Sequence, residues 1–575
     1  AIKVAREIHE LVDAFSPENK LILATGPLTG TIASTSARYS AVTKGPLTGA
    51  ITGSNSGGHW GPELKFAGYD MVILEGKASS PCYLWVYDDI AELRPAEGLW
   101  GKTVWETEEW IRTATGVPDC IIASIGPAGE NLVRFACIVN DLHRAAGRSG
   151  VGAVMGSKNL KAIAVRGTGG VQVASPEEMM MATWAQKKKL TGNAGVEGMQ
   201  KYGTLEIMGI INETGGLPTR NHQQTQFEHE PQINGEALAS SANYVTNKAC
   251  FGCTIACGRV TNLPGDAANR FMVTTHPRNW KIKGEGPEYE TAWALGPECG
   301  VGDLDAIIKA SWLCNDLGVD TISMGATVSA AMELYERGHI SREEAGMDMS
   351  FGSGDALVAL VEKTAYRDGI GNELAEGSRR MGEKFDHPEV HMGSKGQEFP
   401  AYDPRAYNGM SLGYATSNRG ADHLRAFTPG AEVFGSPYKL DPASPDGKAE
   451  LVIALQNENS IHDSTGLCLF ISAGNDLEDI RQILVAATGI PYTTEDMNKI
   501  GERVWNLERL WNVKAGLAKK DDSLPERILK GAIPEGPAKG RVGHLDQMLP
   551  EYYSMRGWNE EGVPQQTKIS ELGII

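Results

Sequence analysis

The chain has 575 residues, enough for about three or four domains at the usual ~100–200 residues each. Its 54 Lys and Arg against 72 Asp and Glu leave a net charge of −18, which repels phosphate backbones and argues against a nucleic-acid binder or an anchor on anionic membrane. Hydrophobic residues at 41% and charged residues at 22% exclude global disorder, while 68 glycines, about 12% against roughly 7% typical, point to tight turns and close backbone approach to a ligand.

In chain order, Ala1 to Leu11 interleaves Ile2, Val4, Ile8 and Leu11 with Lys3, Arg6, Glu7 and Glu10, an amphipathic helix without the apolar core of a signal peptide. Residues 20–170 read mostly as β. Short apolar runs such as Leu21–Leu23, Met71–Leu74 and Ile121–Ala123 alternate with Gly and Pro turn signals. Gly-Pro-Leu-Thr-Gly occurs at 26–30 and again at 45–49, two similar turns but no repeat architecture. After Val171 helical spacing takes over, in Pro176–Leu190, Leu304–Leu317, Met324–Arg337 and Ala356–Tyr366. A polar, Gly- and Pro-containing stretch at 384–404 marks a second boundary, and Lys448–Asn459, Asp476–Ala487 and Thr494–Leu517 are helical beyond it. The expected organisation is α+β: a β-rich domain over 1–172, then mainly helical domains over 173–392 and 393–575. Nine cysteines, an odd number over a long chain, read as reduced thiols, and no apolar run reaches the ~18–20 residues that span a bilayer. The expected location is cytoplasmic.

The strongest local signal is Cys250-Phe-Gly-Cys253-Thr-Ile-Ala-Cys257. Two thiolates of a Cys-x-x-Cys converge around a tight turn, helped here by Gly252, and three need a fourth ligand for a tetrahedral zinc or a cubane cluster. The spacing fits a [4Fe–4S] cluster, a structural zinc or unliganded thiols; the lack of a second Cys-x-x-Cys favours iron and sulfur. A candidate fourth ligand closes Asp463-Ser-Thr-Gly466-Leu467-Cys468, which echoes Asn315-Asp-Leu-Gly318-Val319-Asp320. Each is either a loop facing a heterocycle edge or a helix C-cap with glycine just past its end. Two glycine-rich segments, Gly53-Ser-Asn55-Ser-Gly57-Gly58 and His143-Arg144-Ala145-Ala146-Gly147-Arg148-Ser-Gly150-Val-Gly152, suit anion nests beside arginines. The second is no dinucleotide fingerprint, since its third glycine comes one position late and position 170 is Gly instead of an acid. Glu288, Glu290 and His423 are polar candidates for acid–base work that no pattern singles out.

Together these residues resemble the tungsten-containing aldehyde ferredoxin oxidoreductase family over essentially the whole chain. The pieces that carry the resemblance are Gly26-Pro-Leu-Thr-Gly-Thr, Asn55-Ser-Gly-Gly, His143-Arg-Ala-Ala-Gly-Arg, the three-cysteine run and Asp463-Ser-Thr-Gly-Leu-Cys-Leu-Phe. It implies a β-rich domain of two sheets cradling two molybdopterins, with two helical domains above. Arg38, Asn55, Gly57, Arg144, Ala145 and Gly147 would hold the pterin phosphates and a bridging Mg2+; Asp320, Asp463, Leu467 and Arg425 would meet the pterins; Cys250, Cys253, Cys257 and Cys468 would ligate one [4Fe–4S] cluster. Tungsten would be held by pterin sulfurs, without a protein ligand. The resemblance also implies that the family's first N-terminal strands are missing ahead of Ala1.

The implied reaction is aldehyde oxidation with water to a carboxylate. Glu290 would act as general base and His423 would hydrogen-bond the developing oxyanion, with electrons leaving through the cluster to ferredoxin or an iron–sulfur subunit. An oligomer, and a further flavin- or NAD-binding subunit, fit the same scheme. Three departures stand out. Position 315 is Asn where the family's first pterin motif begins with Asp, which removes a carboxylate. Lys309 and Trp312 replace the Glu and His that bind an interface iron in some members. Arg278, Lys281 and Lys283 form a local basic run that could dock an electron carrier. The alternatives are tungsten-dependent reduction of an aryl-CoA thioester, with Cys299 near the metal, and a zinc-stapled scaffold; an NAD dehydrogenase is the weakest.

Overall fold

Strand alternation and turn chemistry build two sheets in the first part of the chain. The structure is a computed structural model that describes residues 2–263, 270–271 and 283–574. β1 (Leu21–Thr25), β2 (Tyr39–Lys44), β3 (Ile51–Ser56) and β4 (Met71–Leu74) form an antiparallel sheet in the order β3-β2-β1-β4. Strictly alternating burial along β2 sets one of its faces against the core. The pairing of β2 with β3 runs from Lys44 opposite Ile51 to Tyr39 opposite Ser56. Thus the segment expected as one glycine-rich turn is strand up to Ser56, and only Gly57 and Gly58 leave the ladder.

The second sheet contains β5 (Cys82–Tyr87), β6 (Ile90–Pro95), β7 (Ile121–Ser124), β8 (Ile138–Asn140), β9 (Arg144–Ala146) and β10 (Leu160–Arg166), in the order β6-β5-β10-β7-β8-β9. β10 runs parallel to β5 and antiparallel to β7, and is buried without alternation because both its faces are covered. On one face Ile163 and Val165 join Leu21, Leu23, Tyr39 and Ala41 of the first sheet around Trp60. On the other, Ala162, Ala164, Tyr83 and Trp85 share a cluster with Ile111 of helix Val104–Thr115. Trp60 is fully buried and donates Nε1–H to the Ile163 carbonyl at 3.0 Å; truncating such a side chain to Ala costs about 3–5 kcal/mol.

The remainder is mainly helical. Helices Pro176–Leu190 and Leu304–Leu317 have the expected bounds, while Thr321–Glu336 starts earlier than the spacing indicated because Asp320 caps it, accepting from the amides of Ile322 and Ser323. The N-terminal helix covers only Ile2–Glu7; Ile8 and Val12 instead turn down onto Trp511. Helix Tyr289–Leu295 lies against helix Thr321–Glu336 at Gly325, where a Cβ would come 2.2 Å from the Ala294 carbonyl oxygen. That approach, with a 2.8 Å bond between the hydroxyls of Thr291 and Thr321, fixes the turn that carries Glu290. Among the described residues, no helix is long and apolar enough to cross a membrane.

Candidate active site

Four thiols from two distant stretches line one small cavity. Cys250, Cys253, Cys257 and Cys468 share its walls with Arg38, Arg144, Lys248 and Phe470. Gly252 turns the loop between the first two cysteines with φ +62°, and the Phe251 amide bonds the Gly58 carbonyl at 3.1 Å. Cys468 is brought in by its amide, which donates to the Thr35 carbonyl at 3.0 Å. Arg38 binds both sides of the cavity: Nη2 donates to Cys468 Sγ at 2.9 Å and Nη1 to Asn55 Oδ1 at 3.2 Å. Burial opposes the Arg38 charge, but the sulfurs of Cys468, Cys250 and Cys257 more than offset it and raise its pKa. Burial pushes the Cys253 and Cys257 thiols up, and each also senses Cys468 and Cys250. A Cβ on Gly57 would sit 2.9 Å from Cys250 Sγ, so any larger residue there would displace the Cys250 sulfur. Among the described residues, no group of three Cys, His, Asp or Glu is arranged to hold a single metal ion.

Next to the thiols, four arginines from three parts of the chain converge on β3. Arg38 bonds Asn55, the Arg148 amide donates to Ser54 Oγ at 3.1 Å, Arg419 donates to the Gly53 carbonyl, and Arg425 Nη2 lies 3.6 Å from where a Gly53 Cβ would stand. Arg148 Nε faces Asp320 at 3.3 Å and Arg425 Nε faces Asp463 at 3.1 Å, but neither nitrogen makes an aligned hydrogen bond among the described residues. Arg144 pairs with Glu285 at 2.9 Å, and its Nη2 is likewise without an aligned acceptor. Buried guanidinium groups with donors to spare suit a phosphate-bearing polyanion. Ala145 lies in β9 opposite Val139, and Gly147 passes close to Asp320, whose Oδ1 would be 3.4 Å from a Cβ at 147.

The two echoed motifs are both helix C-caps, Gly318 at φ +77° and Gly466 at φ +84°, and both dock on a Gly-Pro turn of the β-rich part. A Cβ on Gly126 would fall 2.2 Å from Leu317 O, and one on Gly26 2.2 Å from the Thr465 carbonyl carbon. Cys137 N bonds Gly318 O at 2.9 Å, and Arg38 N bonds Gly466 O at 3.1 Å. Both motifs are thus helix C-caps, the second of the two readings that the sequence allowed. Leu467 packs its side chain in a cluster with Leu28, Ile255 and Ile471, so a cofactor could meet only its backbone.

Glu290 and His423 meet: Glu290 Oε1 is 3.4 Å from His423 Nε2, with 16% and 12% of the side chains accessible. Glu290 Oε2 accepts from the Ala401 amide at 3.0 Å. Burial pushes the Glu290 carboxyl up to about 8, against the pull of that amide and of Arg148. Burial drives His423 down to about 3, despite Asp422 beside it. Tyr402 lies against the imidazole with ring centroids 5.8 Å apart.

The glycine-rich segment at 143–152 points to its arginines, Arg148 among them, as anion partners, whereas nothing around Arg419 or Tyr402 in the sequence distinguishes them from ordinary residues. Cys299 is fully buried and donates to the carbonyls of Ala294 and Gly325, both at 3.3 Å. Lys309 and Trp312 lie inside the chain's own core. Of the basic run, Arg278 and Lys281 lie outside the described residues; Lys283 begins the short strand Lys283–Glu285 and is exposed.

Two family models match: aldehyde ferredoxin oxidoreductase, N-terminal domain, over residues 1–167, and aldehyde ferredoxin oxidoreductase, domains 2 and 3, over residues 181–574. The chain is 50% identical to the tungsten-containing aldehyde ferredoxin oxidoreductase of Pyrococcus furiosus, across 99% of this chain and 92% of that protein. It is 49% identical to the Thermococcus kodakarensis protein of the same name over the same shares. Its fold is similar to that of the active-site complex BamBC of benzoyl coenzyme A reductase, with a TM-score of 0.83 at 24% identity, covering 99% of this chain and 91% of the other.

Proposed function

Since this chain belongs to the aldehyde ferredoxin oxidoreductase family, we propose that it oxidises aldehydes with water to carboxylates at a tungsten bis-pterin group and passes the electrons through one [4Fe–4S] cluster to a ferredoxin-like protein. The observation that carries the reading is the juxtaposition of a four-thiol cavity with a buried arginine cradle, both meeting at Arg38. Cys250, Cys253, Cys257 and Cys468 are the four ligands a cubane needs. Arg38, Asn55, Gly57, Arg144, Ala145 and Gly147 would hold the pterin phosphates with Mg2+, and Asp320, Asp463, Arg425 and the Leu467 backbone would meet the pterins. When bound, the tungsten–pterin group supplies a two-electron acceptor and a Lewis acid for the carbonyl oxygen.

The chain's own part is to place and deprotonate the substrate. Water plus an aldehyde yields a carboxylate, three protons and two electrons. Glu290, ionised, takes a proton from water or the hydrated aldehyde at Oε1, the oxygen that the Ala401 amide leaves free. His423, neutral at working pH, offers a ring nitrogen to the developing oxyanion without introducing a competing charge. Tyr402 holds the imidazole face. The chain divides into its three domains after residues 172 and 392.

Metal analysis of anaerobically purified protein, together with aldehyde-dependent reduction of benzyl viologen, tests the reading. Tungsten, about four irons per chain and turnover are expected; zinc without tungsten, or no aldehyde oxidation, overturns it.

A further inference from the structure

Helix Pro176–Leu190 has two apolar faces, and the fold covers one of them. Met179, Thr183, Gln186 and Leu190 are buried. Met179 and Leu190 share a cluster with Ile480 and Ile483 of helix Leu477–Thr488, and Gln186 Oε1 accepts from the Ser34 amide at 2.8 Å. The opposite face stands in solvent. There Met180, Met181 and Trp184 are 62%, 66% and 62% exposed. Single apolar side chains scattered over a surface need no explanation, but two methionines and a tryptophan together on one exposed helix face do.

Glu177, Met181, Trp184 and Lys188, all exposed, follow one another at intervals of four, three and four residues, the spacing that lines side chains along one edge of a helix. The stripe is acidic at its N-terminal end, apolar in the middle and basic at its C-terminal end. Its order is symmetric about a point between residues 182 and 183. Met181 and Trp184 stand equally far from that point, and so do Glu177 and Lys188, which are roughly 16 Å apart along the axis at ~1.5 Å per residue. Lys189 is engaged by Asp479 at 2.7 Å. Lys188 instead lies with Nζ 5.4 Å from the Trp184 ring and, like Glu177, makes no ion pair among the described residues.

We propose that this stripe is a self-association surface, through which two copies of the chain pair these helices antiparallel about a twofold axis at that midpoint. The axis sets each Met181 against the partner's Trp184 and each Glu177 against the partner's Lys188, so every contact is made twice. A parallel pairing would set Glu177 on Glu177 and Lys188 on Lys188, and the order of charges thus selects the antiparallel one. Tryptophan and methionine are enriched at interface centres, and a thioether against an aromatic ring is a favourable contact. One helix pair covers less than the ~800 Å² per partner of a standard stable interface, so the dimer forms and dissociates with protein concentration, with a Kd on the order of micromolar. No residue placed in the redox site takes part, and the inference is independent of the reading above.

Sedimentation velocity of the purified holoenzyme, from about 1 to 100 µM, tests the surface. The parent should show a monomer–dimer equilibrium, and Trp184→Glu should be monomeric throughout. Glu177→Lys or Lys188→Glu alone sets like charges opposite each other at both ends and should raise the dimer Kd about tenfold, while the double variant reverses both pairs and should return within about threefold of the parent. Tm and benzyl viologen turnover close to the parent's establish that each variant is folded. A parent that stays monomeric at the highest concentration, a dimer that persists in Trp184→Glu, or a double variant no tighter than the single ones would overturn the proposal.

Discussion

Oε1 of Glu290 lies 3.4 Å from Nε2 of His423, and burial moves the two groups away from their solution pKa values in opposite senses. A carboxyl held up to about 8 beside an imidazole held down to about 3 leaves both groups neutral at pH 7, with the carboxyl the one within reach of ionisation.

The first prediction is the pH profile. A general base works only when ionised, so kcat should climb as pH approaches about 8, the value to which burial lifts Glu290, and level off above it. His423 stays neutral above about 3 and adds no acid limb. Glu290→Gln should lower kcat by roughly 10²–10⁴-fold and flatten the profile. A Gln variant with the parent's rate would remove Glu290 from this role.

A second prediction concerns the sulfurs. Cys468→Ser should reduce bound iron and sulfide, measured chemically and by electron paramagnetic resonance of the reduced protein. Arg38→Met, which removes a guanidinium 2.9 Å from Cys468 Sγ, should keep a cluster but shift its potential downward, since a lost positive charge makes an added electron less welcome. An unshifted potential would show that Arg38 does not face the cluster.

A third follows from close packing. At Gly26 and Gly126 an added methyl would fall 2.2 Å from backbone atoms of the facing helix caps. Gly126→Ala should cost at least about 1–3 kcal/mol, the usual range for overpacking, because backbone must move. Gly98→Ala, with nothing within 4 Å, is the control and should leave Tm nearly unchanged.

A fourth is about stability rather than rate. Glu298 is fully buried and burial pushes its carboxyl up to about 8. A raised folded pKa means that its favourable contribution is complete below the unfolded value of about 4.3 and is lost as pH climbs through about 8. Glu298→Gln should therefore be more stable than the parent at alkaline pH, by a few kcal/mol on an order-of-magnitude basis, with the gain shrinking toward pH 5. Calorimetric Tm values at both ends of that range check it.

The sequence made the local parts of this site legible and left its assembly hidden. The Cys250–Cys257 spacing and its Gly252 turn are short-range chemistry, and the helix bounds of Leu304–Leu317 follow from apolar spacing and the cap at Gly318. The pairing of β2 with β3 through Ser56 was not legible, because glycines at 53, 57 and 58 read as turn. Nor was the gathering of Arg148 with Arg419 and Arg425 on β3, since the first and the latter two lie about 270 residues apart and only the closed fold brings them together. For Glu290 and His423 the family resemblance pointed where residue chemistry could not. Asn315, expected to weaken a cofactor contact, sits three residues before the cap at Gly318, and the nearby Asp320 caps the next helix and faces Arg148.

The division of the four thiols between residues 250–257 and residue 468 has a consequence for biosynthesis. During translation three of them leave the ribosome long before the fourth exists, and the fourth is held by a loop that must first seat on the Gly26 turn. The set of four thiols is incomplete until residue 468 has been made, and a chain ending before it would carry only the three of residues 250–257.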